Sequence, residues 1–400
     1  MRKTTITTTL HKLLRKLPSL RERWYVYLCR AALITALSVT LSQIVLHKLD
    51  DLAVFTATGL SNDFQVSDLY NLIADGRDVA QVSPYVTVLA VDDCSRQQLL
   101  EVLELVSAYD PHAIGLDIFF RFANHDSALV VNTLQSIPNL VLPCQLLPQS
   151  SGQYIRTQSS FFEQYLDADY AYVNLNADDP TDVIRDFTPF MILANGDTMR
   201  HMATELARLA APDNYRTLLQ RGRQQEIIQF ASVTIDTLSA AELLTSDNEA
   251  YLTSRLTHRL VLVGDLHNTK DMFLTPLSGL MPGVMIHAYA LNTIMAEAYT
   301  AVSPVALNWL IAIICCLLFV LINLIVNELY SHMGNMIMRL LQLLLMFGVV
   351  IFGAYCYTRH MLYLDFSSLL FLLGFSALAM DIFEGLYVLY HKCTTKQRQS

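Results

Sequence analysis

A chain of 400 residues has room for two or three domains. With 53% hydrophobic and only 16% charged residues, it is too apolar for an ordinary soluble enzyme, so the first expectation is a membrane protein. The net charge of −9 gives no basis for a nucleic-acid partner.

The chain opens on a basic tail, residues 1–24. Some 8 Lys or Arg precede residue 31, against the single acid Glu22. Residues 25–46 follow as a predicted membrane helix, because about 20 apolar residues cross a hydrocarbon core of about 30 Å. The run is longer than a signal-peptide core and ends at His47-Lys48 without a small-residue cleavage site, which reads as an uncleaved signal anchor. Residues 48–304 have the composition of a water-soluble domain. They hold 31 Asp and Glu against 14 Lys and Arg. Three further spans are predicted at 305–326, 337–357 and 366–389, before a tail at 390–400 that carries Lys392, Lys396 and Arg398. Basic residues at both ends place both termini in the cytoplasm and the large domain outside it, in a multi-pass inner-membrane topology.

Within the large domain, 85–91 is an apolar strand, 96–109 a helix with Leu99, Leu100, Leu103 and Val106 on one face, and 113–120 the next strand. This β-α-β unit predicts parallel strands with a right-handed crossover. A helix at 126–136 and a strand at 140–143 repeat the pattern. Strands at 172–176 and 185–193 flank a polar turn at 178–180. A helix at 199–210 follows, and strands at 226–230 and 260–263 return to the sheet. A last helix is predicted at 284–298. The fold class is therefore an α/β domain with a mixed, largely parallel sheet flanked by helices, plus four transmembrane helices, one N-terminal and three C-terminal.

There is no phosphate-binding glycine loop, no nucleophile elbow and no zinc spacing. Of the seven cysteines, Cys94 and Cys144 lie in the large domain, either as a disulfide or as two buried thiols. The stretch GDLHNTKDMFLTP after the 260–263 strand suggests half of a metallophosphoesterase site. Two-metal hydrolysis needs further His, Asp and Asn ligands on successive strand ends, and these are missing. Carboxylates nevertheless gather at strand ends, where an open parallel sheet binds ligands. Asp92, Asp93, Asp117, Asp265, His267 and Asp271, with Arg185 opposite, form the candidate crevice. The competing reading makes these acids helix and turn caps. No metal site and no cofactor are expected. Gly264 is expected to let the chain turn sharply off the sheet, and His287 to face the core. In the membrane, Arg30, Arg339, Asp381 and Glu384 fall in one leaflet as a candidate ion cluster, the alternative being snorkelling to the headgroups.

One set of motifs runs through the whole chain: V-x-V-L-A-V-D-D at 86–93, A-I-G-L-D-I-F-F at 113–120, Y-V-N-L at 172–175 and V-I-R-D-F-x-P at 183–189. L-V-L-V-G-D at 260–265, D-x-x-x-T-P at 271–276 and P-G-V-x-I-H-A at 282–288 complete it. With one span before and three after, the chain resembles the CHASE2 family of extracytoplasmic sensory domains. The resemblance implies a non-enzymatic sensor or receptor that binds a small molecule or a protein. Members of that family usually feed a cytoplasmic kinase or cyclase domain, whereas this chain stops soon after its last span. The expected partners are therefore the lipid bilayer, a cytoplasmic or membrane protein acting in trans and, as an option, further copies of the chain in an oligomer, and no nucleic acid. An envelope scaffold is the alternative, and a metal-dependent phosphoesterase the third.

Overall fold

The computed structural model describes residues 24–49, 65–75, 81–150, 152–177, 182–231, 233–277, 279–330 and 334–397. The basic tail before residue 24, the turn at 178–180 and Arg398 lie outside them. The described residues divide into an α/β unit, within 71–300, and a helical unit, within 24–49, 65–70 and 301–397.

Seven strands make the main sheet of the α/β unit: β1 (Gln81–Ala90), β2 (Ala113–Leu116), β3 (Leu140–Pro148), β4 (Tyr154–Thr157), β5 (Asp169–Tyr172), β6 (Val233–Ser239) and β7 (Leu260–Gly264). Their order is β6-β1-β7-β2-β3-β4, with β5 also on β3. Every pairing is parallel except β3 with β4. The helices are α1 (Arg96–Ala108), α2 (Ser127–Ser136), α3 (Met202–Ala210), α4 (Pro212–Arg221), α5 (Ala240–Thr245), α6 (Glu249–Leu256) and α7 (Gly283–Met295). Alternate residues of each strand serve opposite faces. Leu260 and Leu262 join Val86, Val88 and Ala113 beneath α3, α4 and α7. Val261 and Val263 join Leu89, Ile114 and Leu116 beneath α1, α2, α5 and α6. Burial on both faces explains why β7 reads as an unbroken apolar run.

The sequence places β1 and β2 in one β-α-β unit, and they are parallel, but β7 lies between them, in register with both. The predicted strand at 113–120 ends at Leu116, where the chain leaves the sheet at Asp117. The predicted strand at 226–230 does not return to the sheet. Only Glu226–Ile227 is extended, pairing with Asp186–Phe187 in a separate ribbon. Its place beside β1 is taken by β6, whose Ile235 and Leu238 are buried. The predicted helix at 199–210 starts later, because Thr198–Arg200 pairs with Phe190–Ile192 and His201 caps α3 by accepting from the Ala203 N–H at 3.3 Å. Cys94 and Cys144 are both free thiols. Burial pushes the Cys144 thiol up to about 12.

In the helical unit, four helices are long and apolar enough to cross a membrane: Trp24–Val45, Val305–Leu329, Gly334–His360 and Ser367–Tyr390. Ala31 and Ile34 of the first, Ala312 and Cys316 of the second, and Leu372 and Leu373 of the fourth form its buried core. Gln342 of the third donates to the Leu373 carbonyl of the fourth at 2.5 Å, which satisfies a polar group that lipid would leave bare. Ala301–Val302 pairs with Leu362–Tyr363, and Tyr70 packs on Tyr357 and Tyr363 beside that short ladder.

Candidate functional site

The insertion of β7 brings three strand exits side by side. The Val91 N–H donates to the Gly264 carbonyl at 3.1 Å and the Asp117 N–H to the Val263 carbonyl at 2.8 Å. Asp92, Asp117 and Asp265 therefore leave the sheet together. Between them opens a cleft of about 730 Å³, lined also by residues 173–175 after β5, by Phe273 and by Gly283 and His287 of α7.

Gly264 does not work as expected. Its backbone is outside the left-handed region, and a Cβ there would lie 2.8–2.9 Å from the Val284 side chain. The glycine is there so that α7 can pack tightly on the end of β7. Gly283 does the same for Asp271, whose carboxylate oxygens would sit 2.8 and 2.9 Å from an added Cβ. That carboxylate is held against the first turn of α7, where the exposed N–H groups of a helix favour negative charge, and the Gly283 N–H donates to the Asp271 backbone carbonyl at 3.0 Å. Ser95, the residue after Cys94, caps α1 reciprocally with Gln98.

Of the residues singled out in the sequence, Asp92, Asp117, Asp265 and Asp271 line the cleft. Asp93 is exposed and outside it. The His267 side chain is 83% exposed, and its Nδ1 lies 3.1 Å from Asp92. Arg185 is outside the lining. Its guanidinium donates to the Val183 carbonyl at 3.2 Å, in the segment where the Ile184 N–H donates to the Leu274 carbonyl at 2.8 Å. Arg121, Lys270 and Asn174 are not among those candidates, yet they line the cleft. Asn174 clamps β3 by accepting from the Leu146 N–H and donating to the Leu146 carbonyl, both at 2.8 Å.

The carboxylates differ electrostatically. Burial raises both Asp92 and Asp265, which share a hydrogen bond. For Asp92 that bond, with the N–H groups of His267 and Leu266 at 2.7 Å, outweighs burial and holds the group below its ordinary value. Asp265 is left above its ordinary value, first by burial and then by the bond to Asp92. Burial, then the nearby Asp271, pushes Asp117 up to about 7. Asp271 is itself raised by burial, against the opposing effect of the nearby Gly283 N–H.

His287 lies behind Asp117, with Nε2 4.0 Å from the carboxylate. Burial pushes His287 down to about 4 and His201 well below its ordinary value, the latter also through His287. Both rings are therefore neutral near pH 7, and their tautomers follow. His201 Nδ1 accepts from the Ala203 N–H, so its proton is on Nε2 and is donated to His287 Nδ1 at 3.1 Å. His287 then keeps its proton on the nitrogen facing Asp117. Among the described residues, no three His, Cys, Asp or Glu side chains come together to hold a metal ion.

The membrane charges disperse into smaller contacts. Arg339 donates to Asp381 at 3.3 Å, and the Arg30 guanidinium lies over the Tyr387 ring at 4.8 Å. Glu384 is exposed and makes no ion pair among the described residues.

The CHASE2 domain profile matches residues 33–323, well over half of the chain. The chain belongs to the CHASE2 family. Comparison with curated proteins and with solved structures gave no match. The CHASE2 match covers every strand of the sheet and every wall of the cleft, and extends into the first and second candidate spans. A CHASE2 sensor domain joined to four candidate membrane helices fits a multi-pass membrane sensor.

Proposed function

We propose that this protein is a non-catalytic receptor of the inner membrane, with its α/β domain outside the cytoplasm, that binds a small ligand in the strand-end cleft and signals to a partner protein. The observation that carries this reading is the position of α7. Its first turn, through Gly283 and His287, is a wall of the cleft. Its chain continues through residues 296–304 into the second candidate span. A ligand that favours one position of α7 over another would bias whatever state that span adopts, by its differential affinity for the two. The helix is suited to discrete states, because Ile286, Leu291 and Ile294 are fully buried and each such side chain contributes about 1.5–3 kcal/mol.

A non-catalytic role is supported by the chemistry of the cleft. Asp92 and Asp265 spend their hydrogen-bonding capacity on each other and on the loop they anchor. His267, the residue that suggested a hydrolase, sits outside the cleft beside Asp92. The reading is tested with the full chain in lipid nanodiscs, by screening a small-molecule library for increases in Tm. Stabilising compounds should lose their effect in Cys94→Trp, which fills the cleft beside Asp92, while the unliganded Tm stays close to that of the parent. If no stabilisation depends on the cleft, and cross-linked partners are the same in both proteins, the receptor reading fails and a scaffold takes its place.

A further inference from the structure

Two of the four cleft carboxylates have protein donors, and a third, Asp271, lies against the first turn of α7. Asp92 accepts from the Leu266 and His267 N–H groups, and Asp265 accepts from the His267 N–H at 3.0 Å. Asp117 has none among the described residues. Its side chain is only 10% exposed, and the closest polar partner, His287 Nε2, is at 4.0 Å, beyond hydrogen-bond range. The two cations of the lining, Arg121 and Lys270, make no ion pair with any of the four acids. A carboxylate withdrawn from water without a donor is costly. Here it is kept at the wall of a cleft that Phe119, Leu175 and Phe273 also line.

We propose that the cleft takes a small organic ammonium compound, with its N–H donors against Asp117 and Asp271 and its hydrocarbon part against Phe119, Leu175 and Phe273. This rests on the cleft being a ligand site. An anionic ligand could meet Arg121 and Lys270 but would add to the negative charge facing Asp117 and Asp271, not offset it. A bare metal ion would need ligands gathered around one point, which the described residues do not offer. A neutral ligand could donate hydrogen bonds but would leave the charge of Asp117 uncompensated, whereas an ammonium group supplies both donors and charge.

The proposal includes a proton. Near neutrality the Asp117 carboxyl, at about 7, is partly protonated. Binding of R–NH₃⁺ favours the carboxylate, so Asp117–COOH becomes Asp117–COO⁻ paired with the ammonium and the proton passes to solvent. The other groups facing this point are Asp92 from the end of β1, Asp265, Lys270 and Asp271 from the loop after β7, Arg121 from the chain after β2, and His287 from α7 with His201 behind it. Both imidazoles are already neutral at this pH and can release nothing.

The test is titration calorimetry at pH 6.5 of the full chain in zwitterionic nanodiscs, repeated in buffers of different ionisation enthalpy. The probes are 2-phenylethylamine, 1,5-diaminopentane and agmatine, with 2-phenylethanol and phenylacetate as neutral and anionic counterparts and calcium chloride as the metal control. At least one amine should bind more than about tenfold tighter than its neutral counterpart, a difference of about 1.4 kcal/mol. Its binding should release a proton. Asp117→Asn should lose that preference and the release, with its Tm showing that it folds, and Cys94→Trp should lose binding altogether. If phenylethanol or phenylacetate binds as well and Cys94→Trp blocks it, the ammonium assignment is overturned while the receptor reading stands. Amine binding unchanged in Asp117→Asn, no binding of the three amines at millimolar concentration, or proton release on calcium alone each overturns it too. If the library screen also yields no cleft-dependent compound, the receptor reading falls with it.

Discussion

Asp92 and Asp117 follow adjacent parts of the same sheet, line the same cleft and differ in almost everything else. Asp92 is wrapped in backbone N–H groups and held in its charged form, and it fastens the loop after β7 to the end of β1. Asp117 is buried without a donor and held close to neutrality. A carboxylate that organises a loop has its donors supplied by that loop. One that awaits a ligand must be left without them, and the fold bears the cost.

The largest expected effect is at Asp117. Its folded value of about 7 lies above the ordinary carboxylate range, so the native state holds a proton that the unfolded chain has lost. Stability therefore falls as pH rises from about 4 to about 7, and the full cost is present above that. Asp117→Asn should stabilise the protein by about 3 kcal/mol at pH 8 and by almost nothing at pH 4, read as Tm against pH. An equal gain at both pH values would remove the contrast with Asp92. Next comes Gly264→Ala, whose Cβ would meet the branched Val284 side chain at 2.8 Å. Overpacking at a stiff neighbour should cost about 2 kcal/mol in chemical denaturation, and a neutral result would show that α7 moves easily off β7.

Asp92→Asn should behave in the opposite sense to Asp117→Asn. The folded value of Asp92 is depressed, so its contribution is present above the ordinary carboxylate range and lost as pH falls through the depressed value. The variant should cost about 1 kcal/mol at pH 7 and loosen the loop, seen as faster hydrogen exchange at Leu266 and His267. Unchanged exchange would mean that the loop holds itself. The smallest effect is expected in the membrane. A double-mutant cycle on Arg339 and Asp381 should give a coupling below about 1 kcal/mol, because the contact is a single 3.3 Å hydrogen bond between side chains that the helices do not enclose. A coupling of several kcal/mol would show a desolvated pair.

Much of the fold could be read from local pattern. The apolar runs at 86–91 and 260–263, the face of α1 and the long apolar helices each announce themselves within a few residues. β6 is not among the predicted strands, because V-T-I-D-T-L alternates apolar and polar residues as an edge strand does and offers no continuous apolar run. The strand predicted at 113–120 was too long because Ile118, Phe119 and Phe120 are apolar for cleft and packing reasons. The site was legible as a collection of strand-end acids, but not their division of labour. That division depends on β7 entering between β1 and β2, a long-range fact that no local window contains. It also depends on His201, whose partner His287 lies 86 residues further along the chain. A histidine immediately before an apolar helix was its only trace in the sequence.

The central position of β7 also bears on how the domain is made. Among the strands of the main sheet it is the last to be synthesised, yet β1 and β2 meet only through it. Until residues 260–264 arrive, the middle of the sheet is an open gap edged by two apolar strands, and neither side has its full core. Pairings over such sequence distances form slowly and leave unpaired edges exposed meanwhile. The emerging chain must therefore be kept from aggregating until β7 closes the gap, and the same late event that completes the sheet assembles the cleft.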